Sequence, residues 1–198
     1  MTKIVDYYLS LNSPYAYLGS REFEAILERQ SAQARVKPIS LAKIFPESGG
    51  LPLPKRAPQR QAYRLVELER WAKARGLALN LHPKFFPAAE EDAARLVAAA
   101  EANAGDPLEL THAILRGVWA EERNIADGDT LQALARESGH DAAKLSAQAK
   151  EPQTLAAFEQ HTQEALKRGV FGSPTYVYKD ELFWGQDRLD FLERALAT

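Results

Sequence analysis

Leu9-Ser10-Leu11-Asn12-Ser13-Pro14-Tyr15-Ala16-Tyr17-Leu18 follows the apolar run Ile4-Val5-Asp6-Tyr7-Tyr8, and this junction decides the fold. Residues 3 to 10 read as a strand. Ser13 as N-cap and Pro14 at the first helical position then start a helix without delay. The first turn of a helix offers N–H groups with no intrahelical partner and a partial positive charge, so such a junction favours a bound anion. A second marker, Gly172-Ser173-Pro174-Thr175, stands just before the β-rich run Tyr176-Val177-Tyr178. Taken singly, each Ser-Pro is an ordinary helix start or strand start. Their order along the chain, each beside the expected element, makes the pair informative.

Outward from this junction, residues 14 to 31 read as a helix with Leu18, Phe23, Ile26 and Leu27 at helical spacing. Residues 35 to 41 read as a second strand. The resulting β-α-β unit implies parallel pairing through a crossover helix. A Pro/Gly-rich segment between Phe45 and Pro58 reads as a lid or binding loop. Helical patterns follow over 58–75, 90–103, 106–123, 129–138, 141–149 and 152–168. At Gly169 the pattern returns to strands, 175–178 and 182–184, and a closing helix begins near Asp187. The fold class is therefore α/β, in the order β-α-β, a large all-helical insertion, then β-β-α. Residues 1–44 and 169–198 form the expected core domain, and 45–168 the expected helical subdomain, with the substrate cleft at their junction.

Composition narrows the chemistry. The 198 residues are 45% hydrophobic and 26% charged, enough to bury a sizeable core. A net charge of −2 gives no bulk reason to expect nucleic acid or an anionic membrane as partner. No apolar stretch approaches a membrane span and the N-terminus lacks a signal-peptide pattern, so a cytoplasmic location is expected. The chain has no cysteine, which excludes dithiol exchange, a thiolate nucleophile of its own and a Cys-ligated zinc. Any sulfur chemistry must use a thiol brought from outside. His82, His112, His140 and His161 have no close mutual spacing, so no metal site is expected.

The element order, together with Ser13-Pro14-Tyr15, Pro58 with Arg60 and Tyr63, Arg70-Trp71-Ala72, Gly172-Ser173-Pro174-Thr175 and Phe183-Trp184-Gly185-Gln186-Asp187-Arg188-Leu189, resembles one thioredoxin-like family. It contains 2-hydroxychromene-2-carboxylate isomerase and the kappa-class glutathione transferases. The resemblance covers essentially the whole chain. Ser13-Pro14-Tyr15-Ala16 stands where thioredoxins carry Cys-x-x-Cys, and Pro174 where they carry a cis-proline, which places Gly172–Thr175 beside Ser13.

The resemblance implies glutathione as cofactor, with Ser13 as the catalytic residue hydrogen-bonded to its sulfur. The physics agrees, since a thiol with a pKa of about 8.5 is mostly protonated at neutrality, and a hydroxyl donor at a helix N-terminus favours its thiolate. It further implies that Ser173, before Pro174, pairs with the glutathione backbone, and that Gln186 and Asp187 meet the γ-glutamyl end. Arg60 falls where relatives carry a basic residue near glutathione or substrate, although Lys55, Arg56 and Arg60 remain unranked. Relatives carry an asparagine in the preceding loop, where this chain reads Gly49-Gly50-Leu51. Tyr15, Phe45, Phe85, Phe86 and Trp184 are candidates to line a pocket for a small aromatic substrate. The implied activity is isomerisation of 2-hydroxychromene-2-carboxylate or a close analogue by reversible thiolate addition. A kappa-like transferase and a non-catalytic glutathione-binding protein are the alternatives, and the family habit implies a homodimer.

Overall fold

The computed structural model of the chain describes residues 2–103 and 105–198. Strand β1 (Lys3–Leu9) passes through a short turn into α1 (Pro14–Arg29) and on to β2 (Ala32–Pro38). β1 and β2 run parallel with Tyr7 opposite Val36, as a crossover helix requires. Helices α2 (Leu41–Ser48), α3 (Pro58–Arg75), α4 (Glu91–Ala102), α5 (Pro107–Trp119), α6 (Gly128–Glu137), α7 (Ala142–Gln148) and α8 (Pro152–Lys167) come next. The chain then forms β3 (Thr175–Tyr178), β4 (Glu181–Trp184) and α9 (Leu189–Leu196). β3 lies antiparallel to β1, with Tyr176 opposite Tyr7, and β4 completes a sheet of order β2-β1-β3-β4. This is the expected α/β arrangement, with the helical stretch inserted between the second and third strands.

Alternation along β1 sends neighbouring tyrosines to opposite faces of the sheet. Tyr7 stacks on Tyr176 with ring centroids 5.0 Å apart, and Phe23 of α1 closes the cluster at 4.9 Å and 4.6 Å. From there one apolar core runs without a break through α4, α5 and α6, around the fully buried Trp119. On the opposite face Tyr8 packs with Ile39, Ile44, Ala165, Val170 and Val177, under α2 and α8. A smaller cluster of Leu18, Leu68 and Ala72 joins α3 to α1.

Three expectations need correction. The segment 45–58 is not all loop, because α2 runs to Ser48 with Pro46 inside it. Burial of Ile44 in the Tyr8 cluster outweighs the donor that proline lacks. The second strand covers 32–38 rather than 35–41. Pairing with β1 sets its bounds, from Ala32 opposite Lys3 to Pro38 opposite Leu9. Helix α5 stops at Trp119 rather than near 123, where the Trp119 carbonyl accepts the Asn80 N–H at 2.6 Å.

Candidate active site

Ser13 caps α1, and its surroundings follow from the turn that precedes it. The Ser13 N–H donates to the Ser10 carbonyl at 3.0 Å, closing residues 10–13 into a turn at the end of β1. The Ser13 Oγ accepts the Ala16 N–H at 3.2 Å and donates to the Ser173 carbonyl at 3.1 Å. In return, the Ser173 Oγ accepts the Ser10 N–H at 2.9 Å. The two sequence markers, 160 residues apart, therefore interlock, and the Ser173-Pro174 bond is cis. Ser13 is 6% exposed, at the foot of the site. Among the described residues, neither the Tyr15 N–H at the start of α1 nor the Ser173 N–H donates to any group. These are the backbone donors that a thiolate and a peptide backbone would use, so the residues present fit glutathione.

The opposite wall is the turn after β4. The Gly185 N–H donates to the Pro174 carbonyl at 2.9 Å, which fixes the turn beside the cis-proline loop. Gly185 adopts φ +95, and a Cβ there would meet the Asp187 Oδ1 at 2.5 Å. The Trp184 indole lies over Gly172, where a Cβ would stand 2.4 Å from its Nε1. Asp187 does not cap the last helix; it lies in the 3-10 turn Gln186–Arg188 and pairs with Arg188 at 2.5 Å. Gln186 is nearly fully buried, its side-chain oxygen accepting from Arg75 at 3.0 Å.

Between these walls and α3 lies a cleft of about 480 Å³. Tyr15, Arg60, Ser173, Trp184, Gln186 and Asp187 reach its lining; Ser13 and Lys55 do not. Of the five aromatics expected there, Tyr15 and Trp184 line it, while Phe86 packs on Trp119 at 4.8 Å. Phe45 folds against Gly50. Tyr63 and Trp71 of α3 add to the aromatic wall. Burial raises the Tyr15 phenol pKa, partly offset by the nearby Arg64.

Two residues here escaped the sequence reading. Arg64, one helical turn beyond Arg60, lines the cleft yet is only 9% exposed. Its i, i+4 spacing puts it on the same helix face as Arg60, but nothing in that spacing tells a buried arginine from a solvated one. Glu90, just before α4, accepts from the Ser10 Oγ at 2.9 Å and 3.0 Å and from the Asn12 N–H at 3.0 Å. Asn12 and Ala88 exchange two further bonds at 2.9 Å and 3.0 Å, so the Ser13 turn is tied to the helical segment. Burial pushes the Glu90 carboxyl up to about 6. Nothing in the sequence announces a contact across 80 residues. Among the described residues, no group of three or more His, Asp or Glu side chains is placed to hold a metal ion.

The sheet order, the cis-proline loop and the serine at the strand-to-helix turn define a thioredoxin-like protein. More narrowly, the chain belongs to the family of the DSBA-like thioredoxin domain, whose model matches residues 4–197. It is 29% identical to a curated 2-hydroxychromene-2-carboxylate isomerase of Sphingobium xenophagum, over 99% of each chain. It is 23% identical to glutathione S-transferase kappa 1 of Rattus norvegicus, over 96% of this chain and 89% of the relative. A solved 2-hydroxychromene-2-carboxylate isomerase superposes with a TM-score of 0.79 at 25% identity, covering 98% of this chain and 94% of that one. The resemblance drawn from the motifs therefore holds along the full length.

Proposed function

We propose that the protein is a glutathione-dependent isomerase that interconverts 2-hydroxychromene-2-carboxylate and trans-o-hydroxybenzylidenepyruvate, or a close aromatic analogue. The observation that carries this reading is the interlock of Ser13 with Ser173 in a chain without cysteine. The similarity to named isomerases over the whole length supports it. Glutathione, when bound, supplies the recycled thiol nucleophile that the chain itself lacks. Ser13 turns its hydroxyl hydrogen from the Ser173 carbonyl toward the sulfur, and the α1 N-terminus adds its partial positive charge. The Ser173 backbone, held in shape by Pro174, pairs with the peptide backbone of the cofactor. Asp187 receives the γ-glutamyl ammonium, Gln186 lends its backbone to the same end, and Arg60 adds a cation at the cleft mouth. Tyr15 and Trp184 hold the planar substrate against the sulfur. In this reading residues 45–168 act as a subdomain that completes the cleft, and the protein works as a cytoplasmic homodimer.

A kappa-like transferase uses the same residues and differs in releasing a conjugate; the similarity to the rat transferase keeps it as the second reading. The test follows isomerisation spectroscopically with and without glutathione, in wild type and Ser13→Ala. We expect turnover to require glutathione and to fall about 100-fold in the variant, as when a preorganised donor to a developing anion is removed. Loss of the N-cap alone costs about 1 kcal/mol of stability and leaves the rate intact. Near-normal isomerisation in Ser13→Ala would reduce Ser13 to a helix cap. Accumulation of a stable conjugate would select the transferase.

A further inference from the structure

The charges of the cleft are not balanced within it. Its two carboxylates are already matched, Asp187 by Arg188 at 2.5 Å and Glu67 by Arg70 at 2.8 Å. Its remaining arginines, Arg56, Arg60 and Arg64, form no ion pair among the described residues. Arg56 at least gives its Nε–H to the Leu51 carbonyl at 2.8 Å, and Arg60 is exposed to water. Arg64 forms no such bond and is far less open to water than Arg60. It is 9% exposed and donates no hydrogen bond to any described residue. What holds it is aromatic: its guanidinium lies 5.6 Å from the ring centroids of both Phe86 and Trp119. Packing against rings engages the face of a guanidinium and leaves its in-plane N–H donors for a ligand. A buried cation without a counter-ion is costly, and a planar fork of donors suits a carboxylate in two-point contact.

We propose that Arg64 is the specificity-determining residue of the cleft, binding the carboxylate of an aromatic acid and discriminating against uncharged electrophiles. The proposal rests on the reading of this cleft as the electrophile site, and makes no use of the isomerisation step. Glutathione also carries carboxylates, but the surroundings favour the aromatic acid. Tyr63 and Trp71 share α3 with Arg64, and Tyr15 lies close enough to feel its charge, so aromatic side chains surround it in the lining, whereas the elements suited to a peptide backbone, Ser173 and the 185–187 turn, come from other parts of the chain. Arginine rather than lysine matters here, because a point charge on a flexible stem neither stacks on the rings nor reproduces the fork.

The probe is coumarin-3-carboxylate, a planar fluorescent acid, compared with its uncharged carboxamide in direct titrations without turnover. Wild type should bind the acid at least about tenfold more tightly than the amide, the scale of one charge-assisted pair in a desolvated site. Arg64→Gln should erase that preference, and Arg64→Lys should keep only part of it. Glutathione affinity, measured separately by calorimetry, should change less than about twofold in both variants. Circular dichroism reports their folding. If Arg64→Gln does not fold, the wild-type comparison still decides, since equal binding of acid and amide overturns the proposal. It is equally overturned if the variant keeps the acid preference, or if it loses glutathione while still preferring the acid. A protein that prefers the acid through Arg64 yet fails to isomerise sinks the proposed reaction and leaves this inference standing.

Discussion

Glu90 is a half-buried carboxylate whose bonds to Ser10 and Asn12 hold the turn that presents Ser13. Burial raises its pKa from 4.5 to about 6, against the pull of those donors. The folded chain therefore holds this proton more tightly than the unfolded chain does. The associated stability is fully present below about 4.5 and is lost as pH rises through about 6, a change of about 2 kcal/mol. Glu90→Gln removes the titration. We expect the stability of the variant relative to wild type to grow by about 2 kcal/mol between pH 4.5 and pH 7, measured by urea denaturation at each pH. Parallel curves would show that Glu90 does not carry the titration. At this scale, Ser13 and Ser173 were legible because each sits in a dipeptide with a local meaning. Glu90 and Arg64 were not, since a carboxylate before an alanine-rich helix and an arginine within one have the same local pattern whether buried or solvated.

Helix α4 connects the site to the far edge of the sheet. Glu90 precedes its first turn, and Glu101 in its last turn accepts the Val36 N–H at 2.8 Å. β2 is an edge strand, so this N–H has no neighbouring strand to donate to. The carboxylate ends the sheet where another chain would otherwise pair. Burial raises the Glu101 pKa, partly countered by that bond and by Lys37 and Arg35. Glu101→Ala leaves a part-buried donor unmatched and should cost about 1–3 kcal/mol in chemical denaturation, whereas Glu101→Gln keeps an acceptor and should cost less. Equal losses in the two variants would mean that packing, not the hydrogen bond, is at stake. The boundaries of α3, from Pro58 to the left-handed Gly76, followed from Pro at its start and Gly at its end. α2 did not, because its proline signalled a break and only the Tyr8 cluster overrides that signal.

Across the whole molecule, one buried histidine, His112, and one half-buried, His161, make the fold sensitive to acid. Burial pulls His112 and His161 each down to about 4, with Arg21 and Lys37 respectively adding to the effect. His112 is further fixed by Ser20, whose Oγ lies 2.7 Å from its Nδ1. Below about 6.5 the unfolded chain takes up protons that the folded chain refuses, so stability present at neutral pH is lost as pH falls toward 4. The two together are worth on the order of 3 kcal/mol after allowance for the water that still reaches them. Glu90 opposes this trend over the upper part of the same window, with a smaller magnitude. We expect the thermal midpoint of wild type to drop from pH 6.5 to pH 4, and the drop to shrink in a His112→Gln, His161→Gln double variant. An undiminished drop would move the acid sensitivity to other groups.

The sequence by itself determined the strand-to-helix turn at Ser13, the loop at Pro174, the element order and the lack of any thiol of the chain's own. These depend on local backbone preference, apolar period and the absence of one residue type, all of which are properties of neighbouring residues. Tertiary structure alone decided that Gln186 turns to Arg75, that Phe86 joins the core around Trp119, and that Arg64 is buried in the cleft without a counter-ion among the described residues. The reason is physical. Burial and charge pairing depend on which segments meet in space, and a side chain's cost or reactivity is set by partners that can lie a hundred residues away.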